Sequence, residues 1–227
     1  NLQFLQVAKG SDKNSFVVTS SIAGEGKSTT SINLASTLAE GGEKVLLIDA
    51  DLRRSTVAKY LNLEGSVGLT TILLGRAHLE DVVQPIGSGG LHIVAAGEIP
   101  PNPAELLASD AMKRLLDEAM QSYDTVVLDG APLLPVTDAA ILSTLTGGAL
   151  IVAGSGVVSV PELEDSIASL DQVKGTTLGI VLNRAKVGNN DGYYYQYKHE
   201  PDAKGASRRN RLRRTSNASK ASVGSNA

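Results

Sequence analysis

The chain has 227 residues, 42% of them apolar and 20% charged, with no cysteine, no tryptophan and three histidines. That length supports one sizeable core; the absence of cysteine excludes disulfides and thiolate metal sites, and the scattered His78, His92 and His199 argue against a zinc site or a histidine-based triad. The formal net charge of −3 hides a split, with +6 on residues 198–227 and −9 on the rest, and no apolar run reaches the ~20 residues of a membrane helix.

In chain order, the first apolar run, 16–19, reads as a strand and is followed by Ser21-Ile22-Ala23-Gly24-Glu25-Gly26-Lys27-Ser28 and a helix-like stretch, 27–40. Strand, glycine-rich turn and helix form the setting of a phosphate-binding loop. Glycines let the backbone approach phosphate, and the amides and positive helix end hold the anion. Lys27 then reaches the β- and γ-phosphates of a nucleotide, and Ser28 ligates Mg²⁺. Ser21 stands where the usual pattern has its first glycine.

Further strand-like runs follow at 45–48, 91–95, 125–128, 150–153 and 178–182, mostly continuous rather than alternating, as for strands covered on both faces. Helix-like stretches at 104–121, 137–145 and 162–173 separate most of them, with Pro103 and Pro161 at positions a helix start tolerates. The alternation predicts an α/β fold: a doubly wound, mostly parallel sheet of the P-loop NTPase type, in a single domain. Its boundaries are set at residues 1–188, with 189–197 a tyrosine-rich segment and 198–227 a basic tail of disordered composition.

Ligands of open α/β sheets bind beyond the carboxyl ends of the strands. The residues there are the phosphate loop, Asp49-Ala50-Asp51-Leu52-Arg53-Arg54, Asp129-Gly130-Ala131-Pro132 and Asn183-Arg184. One aspartate at a strand end is commonly an N-cap. Three of them, Asp49, Asp51 and Asp129, opposite a phosphate loop point to Mg²⁺ and catalysis. Arg53 and Arg54 read as phosphate contacts, subunit contacts or a solvated helix start, and His92 as a tolerated strand residue.

These residues resemble those of the bacterial tyrosine kinases, the autokinases of capsule and exopolysaccharide systems, which are related to partition-type ATPases. The 45–54 segment is similar to their second Walker-type motif and Val126-Val127-Leu128-Asp129-Gly130-Ala131-Pro132 to their Walker B motif. Pro100-Pro101-Asn102-Pro103-Ala104-Glu105-Leu106-Leu107 and the cluster Tyr193-Tyr194-Tyr195-Gln196-Tyr197 distinguish them from partition ATPases, whose signature lysine is here Ile22. The sequence departs from the family at Ser55, usually proline, at Gly130 within the Walker B segment, and at 153–155, which lack an arginine.

The resemblance implies phosphoryl transfer from ATP to tyrosine, with Ala23, Gly24, Glu25, Gly26, Lys27, Ser28 and Thr29 cradling the phosphates and Asn183 reading adenine. It gives Lys27, Asp49, Asp51 and Asp129 catalytic roles and makes Ser28, Asp51 and Asp129 the Mg²⁺ ligands. Asp49 is the choice for orienting or deprotonating the phenol, with Asp51 the alternative. Tyr193, Tyr194, Tyr195 and Tyr197 become the phospho-acceptors, modified in trans. It further implies a ring of subunits, a membrane-spanning activator (a polysaccharide co-polymerase, fused upstream or separate), a tyrosine phosphatase and a place at the cytoplasmic face of the inner membrane. The absence of an initial Met reads as a piece of a longer protein. The basic run 208–214 reads first as a solvated tail, next as an anionic-membrane contact; nucleic acid is not expected. The alternatives are a partition-type ATPase switch and a catalytically weak nucleotide-binding regulator.

Overall fold

Continuous runs of Val, Leu, Ile and Ala put apolar side chains on both faces of each strand, so both faces need cover, and a sheet between two helical layers supplies it. A computed structural model, which describes residues 14–185 except Ser88, has this arrangement. The strands are β1 (Ser15–Ser20), β2 (Val45–Asp49), β3 (Gln84–Ile86), β4 (Leu91–Val94), β5 (Thr125–Asp129), β6 (Ala149–Gly154) and β7 (Thr177–Asn183). They form one sheet in the order β3-β4-β2-β5-β1-β6-β7. Every pairing is parallel except that of β3 with β4.

The helices are α1 (Lys27–Glu40), α2 (Val57–Leu61), α3 (Leu69–Leu73), α4 (Leu79–Val82), α5 (Pro103–Leu107), α6 (Asp110–Ser122), α7 (Asp138–Leu145) and α8 (Val160–Gln172). Alternate strand residues feed two cores. Phe16, Val18, Leu47 and Val152 pack with Ala35 and Leu38 of α1. Val17, Leu46, Leu128 and Ile151 pack with Met112 and Leu116 of α6, Leu142 of α7 and Leu170 of α8. Successive strands lie on opposite sides of β1, so the crevice beyond β1, where the order reverses, is where a ligand is expected.

The expected α/β doubly wound sheet is found, with three local differences. The helix expected over 104–121 is two helices, because Ser109 starts a new one: its hydroxyl accepts a hydrogen bond from the Met112 amide at 3.3 Å. β3 has three residues and contains Pro85, too short and too proline-marked to read as a strand, and it survives as an antiparallel edge. The five-residue α2 and α3 and the four-residue α4 are shorter than any period a sequence displays. Helix α8 starts as expected near Pro161, sealed by a capping box in which Ser159 and Glu162 bond reciprocally. The tyrosine cluster and the basic tail lie outside the described residues.

Gly130, the departure within the Walker B segment, has a packing reason. A Cβ there would stand 2.7 Å from Val17 Cγ2 and 3.3 Å from Ala139 Cβ, between β1 and α7. Gly130→Ala should destabilise the chain by about 1–3 kcal/mol through overpacking, read as a lower urea midpoint at unchanged m-value; an unchanged midpoint would show that β1 and α7 can separate at no cost.

Candidate active site

β1 ends at Ser20 and the chain turns into α1 through Gly24 and Gly26, whose φ angles of 88° and 99° lie in the left-handed region that glycine adopts freely. Gly26 is also the N-cap of α1, which therefore has no side-chain cap and presents its first-turn amides to an incoming anion. Any side chain at Gly26 would collide with Asn183 Nδ2, whereas the space beside Gly24 is open.

The loop is held in shape by a residue the sequence assigned only to the phosphate cradle. Glu25 is fully buried, accepting from the Ile22 amide through Oε1 and from the Gly154 amide through Oε2, both at 2.8 Å. Its side chain ties the loop to the end of β6, leaving only its backbone on the cradle. Asn183, the last residue of β7, donates from Nδ2 to the Glu25 carbonyl at 2.9 Å. It therefore flanks the loop, on the side away from β2 and β5.

On the other flank, strand pairing sets Asp49 directly beside Asp129. Lys27 reaches over them: its Nζ is 2.8 Å from Asp51 Oδ2 and 4.0 Å from Asp129 Oδ2, and 3.4 Å from Ser28 Oγ. Asp51 turns its other oxygen back to the amides of Arg53 and Arg54, at 3.3 and 2.9 Å. Asp49 lies beneath, its Oδ2 accepting from the amides of Thr56 and Val57 at 3.1 and 3.0 Å and so fixing the start of α2. Asp129 Oδ1 accepts from Ser31 Oγ at 2.9 Å. Its Oδ2 is buried without a hydrogen-bond partner among the described residues.

Burial, followed by the neighbouring Asp129 charge, pushes the Asp49 carboxyl up to about 7. Burial also raises Asp129, against the pull of Lys27. Lys27 is lowered by its own burial, but the charges of Asp129, Asp51 and Asp49 together overcome this and leave it raised. One half-buried cation thus faces three carboxylates, a surplus of negative charge that suits a divalent cation.

The donor set fits Mg²⁺. A hydroxyl on Ser28, a carboxylate on Asp51 and the Asp129 Oδ2, which lacks a hydrogen-bond partner among the described residues, are hard oxygen ligands, and Mg²⁺ in nucleotide sites needs only one or two carboxylates besides phosphate and water. Among the described residues no group of three or more His, Asp or Glu forms a dedicated metal cage.

A cleft of about 370 Å³ opens over this ensemble, within the size range of small-molecule sites. One wall is Ala23, Gly24, Gly26, Lys27, Ser28 and Thr29; the others are Asp51, Arg53, Arg54, Thr56 and Tyr60, and Ala131, Pro132, Pro135 and Val136. Asp49 and Asp129 underlie the cleft rather than line it. Arg53 is tied to buried Asp138 at the start of α7 by two hydrogen bonds of 2.8 and 3.0 Å. Sequence reasoning missed Asp138 and Ser31: the first is 85 residues from its partner, while the second was signalled only by its one-turn spacing from Lys27 on α1. His92 is a strand residue on β4, its Nδ1 3.0 Å from the Tyr123 hydroxyl. Tyr193, Tyr194, Tyr195 and Tyr197 lie outside the described residues.

Two measurements test this architecture. Glu25→Ala strips the part-buried Ile22 amide and the buried Gly154 amide of their acceptor, at roughly 1–3 kcal/mol for the buried one. It should lower the urea midpoint and weaken ATP binding at least tenfold; loss of neither would show that the loop holds its shape unaided. The second concerns Asp49, whose folded value near 7 exceeds an unfolded value of about 3.9. The fold thus favours its neutral form, a contribution fully present below about pH 4 and lost as pH rises through about 7. Without metal or nucleotide, Asp49→Asn should gain stability over the wild type by about 1.4 kcal/mol per pH unit between pH 4 and 7. A pH-independent difference would show that Asp49 is ionised throughout.

Comparison with known proteins agrees with this geometry. The family model described as an AAA domain matches residues 16–177. Tyrosine-protein kinase YwqD of Bacillus subtilis (strain 168) is 42% identical over 195 residues, 86% of this chain and 81% of that protein. Tyrosine-protein kinase etk of Escherichia coli (strain K12) is 37% identical over 178 residues, 77% of this chain but 24% of that protein. The chain thus spans most of the first relative and about a quarter of the second. The solved kinase domain of Escherichia coli ETK superposes with a TM-score of 0.72 at 36% identity, covering 80% of this chain and 72% of that one. The Pyrococcus horikoshii septum site-determining protein MinD, with a TM-score of 0.64 at 23% identity over 78% of this chain and 72% of its own, shares the fold.

Proposed function

The chain belongs to the bacterial tyrosine-protein kinases, and on that premise we propose that the cleft above Lys27 carries phosphoryl transfer from ATP to tyrosine, with the roles that follow. The observation that carries the assignment is the convergence of Lys27, Ser28, Asp51 and Asp129 at the carboxyl ends of three adjacent strands, next to a helix start without a side-chain cap. Such transfer consists mainly of positioning and charge neutralisation. The backbone of residues 23–29 cradles the phosphates, and their charge competes with Asp51 for Lys27. Asn183, against Gly26, is assigned to the adenine. Ser28, Asp51 and Asp129 would hold Mg²⁺, which when bound offsets charge on the transferring phosphoryl oxygens.

A tyrosine hydroxyl of pKa ~10 needs an acceptor for its proton at neutral pH. Asp51 borders the cleft; Asp49, raised to about 7, is better matched as a base but lies beneath it. We assign the pair to this task, with Asp49 as the final acceptor. The acceptors are Tyr193, Tyr194, Tyr195 and Tyr197, reached in trans from a second copy in a ring.

The setting proposed is the cytoplasmic face of the bacterial inner membrane, in control of capsule or exopolysaccharide assembly. A membrane-spanning activator and a tyrosine phosphatase act as partners. The small share of etk that this chain covers supports an activator fused in the longer relatives. Among the described residues no helix is long and apolar enough to cross a membrane. The septum site-determining protein MinD shares the fold, at 23% identity.

Mixing two chains tests the activity and its direction together. One carries Lys27→Met with intact tyrosines; the other is active but has all four cluster tyrosines changed to Phe. With ATP and Mg²⁺, phosphotyrosine should appear on the Lys27→Met chain only in the mixture. Phosphotyrosine on Lys27→Met alone would remove Lys27 from the mechanism, and a wild type that labels at high dilution while the mixture stays blank would place transfer within one chain.

A further inference from the structure

The cleft has a half that the nucleotide roles do not use. Asn183, assigned to adenine, lies against Gly26 and does not border the cleft, whereas Lys27, Ser28 and Asp51 do. A nucleotide with its base at Asn183 and its phosphates over the loop therefore brings its γ-phosphoryl end into the cleft. Arg54, Tyr60, Pro132 and Pro135 line the same cleft as Lys27, Ser28 and Asp51 and carry no role toward the nucleotide.

These four residues form a wall that is an unusual surface for phosphate. Tyr60 leaves 60% of its area exposed on α2, and Pro132 and Pro135 border the same cleft. Both sides are anchored in the site. Asp49 holds the start of α2, and the proline loop is pinned by the amides of Leu133 and Leu134 to the carbonyls of Ser20 and Ser21, at 2.8 and 3.1 Å. Arg53 is engaged by Asp138, while the Arg54 guanidinium is exposed and has no ion-pair partner among the described residues. An aromatic ring and prolines with one available guanidinium make a surface for another aromatic ring carrying a neighbouring negative charge.

We propose that this wall is the docking slot for the acceptor tyrosine, an inference that rests on the kinase reading above. The acceptor ring packs against Tyr60, Pro132 and Pro135, its hydroxyl directed at Asp51, while Arg54 pairs with an anionic neighbour in the acceptor segment. The chain's own cluster supplies such neighbours: Asp191 precedes Tyr193 by two residues, and each phosphotyrosine made becomes the anion beside the next tyrosine. In the step itself the phenolic oxygen forms a bond to Pγ, the bond from Pγ to the β,γ-bridging oxygen breaks, ADP takes that electron pair, and the phenol's proton passes to the Asp51–Asp49 pair and on to water.

The test uses the full chain with its four cluster tyrosines changed to Phe as the enzyme and a peptide of residues 189–199 as the acceptor. Peptide KM and kcat are measured beside the Kd of a fluorescent ATP analogue. Tyr60→Ala and Arg54→Ala should each raise the peptide KM about tenfold, with kcat and ATP-analogue Kd within twofold of the parent, while Tyr60→Phe, which keeps the ring, stays at the parent's KM. Arg54→Ala should also shorten the series of multiply phosphorylated products seen by mass spectrometry. An unchanged KM in Tyr60→Ala overturns the slot alone, as does a parallel loss of ATP-analogue affinity, which would make the wall part of the nucleotide site. Phosphate on Tyr60 itself also overturns it, making that residue an acceptor. A parent that binds the analogue but leaves the peptide unlabelled overturns the kinase assignment, and the slot with it.

Discussion

The structure is organised around one half-buried ammonium group among three carboxylates. Lys27 is held by Asp51 and stands over Asp49 and Asp129, which strand pairing sets side by side. Two adjacent buried carboxylates repel and cannot both ionise without a cation. Lys27 is that cation in the chain by itself, and its pull does not outweigh the burial that leaves the Asp49 and Asp129 carboxyls raised. A site balanced in this way favours incoming positive charge beside the carboxylates and incoming negative charge beside the lysine. A metal-bound nucleotide brings both. A hydrophobic replacement would serve stability better, so the polar cluster is the kind of local conflict that marks a functional site.

Keeping that balance requires a rigid loop and rigid walls. Glu25 and Asn183 tie the phosphate loop to β6 and β7, on one side of β1. On the other side, Asp49 anchors α2, and Arg53 joins the segment after β2 to Asp138 at the start of α7. The loop after β5 is bonded back to β1 through Thr19 Oγ1 and the Ala131 carbonyl at 2.7 Å. Each carboxylate with a candidate chemical role also bonds backbone amides or a hydroxyl of its own surroundings. Placement of the charges and folding of the loops are therefore parts of one network, and chemistry that consists mostly of positioning depends on that network.

Much of this was legible in the order of residues. The apolar runs, their turns and the glycine-rich loop predicted the parallel sheet and the phosphate site, because buried strands and helix starts impose local, repeating demands on composition. Asp49, Asp51 and Asp129 were legible as a group because each follows a strand run, and strand ends are where such sheets bind ligands. The short α2, α3 and α4 and the edge strand β3 were not legible: a few residues show no period, and neighbours from elsewhere in the chain stabilise them. The break at Ser109 was also hidden, since a serine inside an otherwise helical pattern becomes a cap only when packing turns the chain there.

By itself the sequence determined the fold class, the phosphate loop and the identities of the charged groups, all of which follow from local pattern and residue chemistry. Only the tertiary structure decided that β2 lies beside β5, which buries Asp49 and Asp129 side by side, and burial raises both, since strand order depends on how helices cover the two faces. It also decided that Glu25 turns inward as a strut while Asp51 faces the cleft, and that Arg53 is engaged by an aspartate 85 residues away while Arg54 is not. A side chain's role as ligand, base or support depends on burial and on partners distant in sequence, and only the folded chain brings those together.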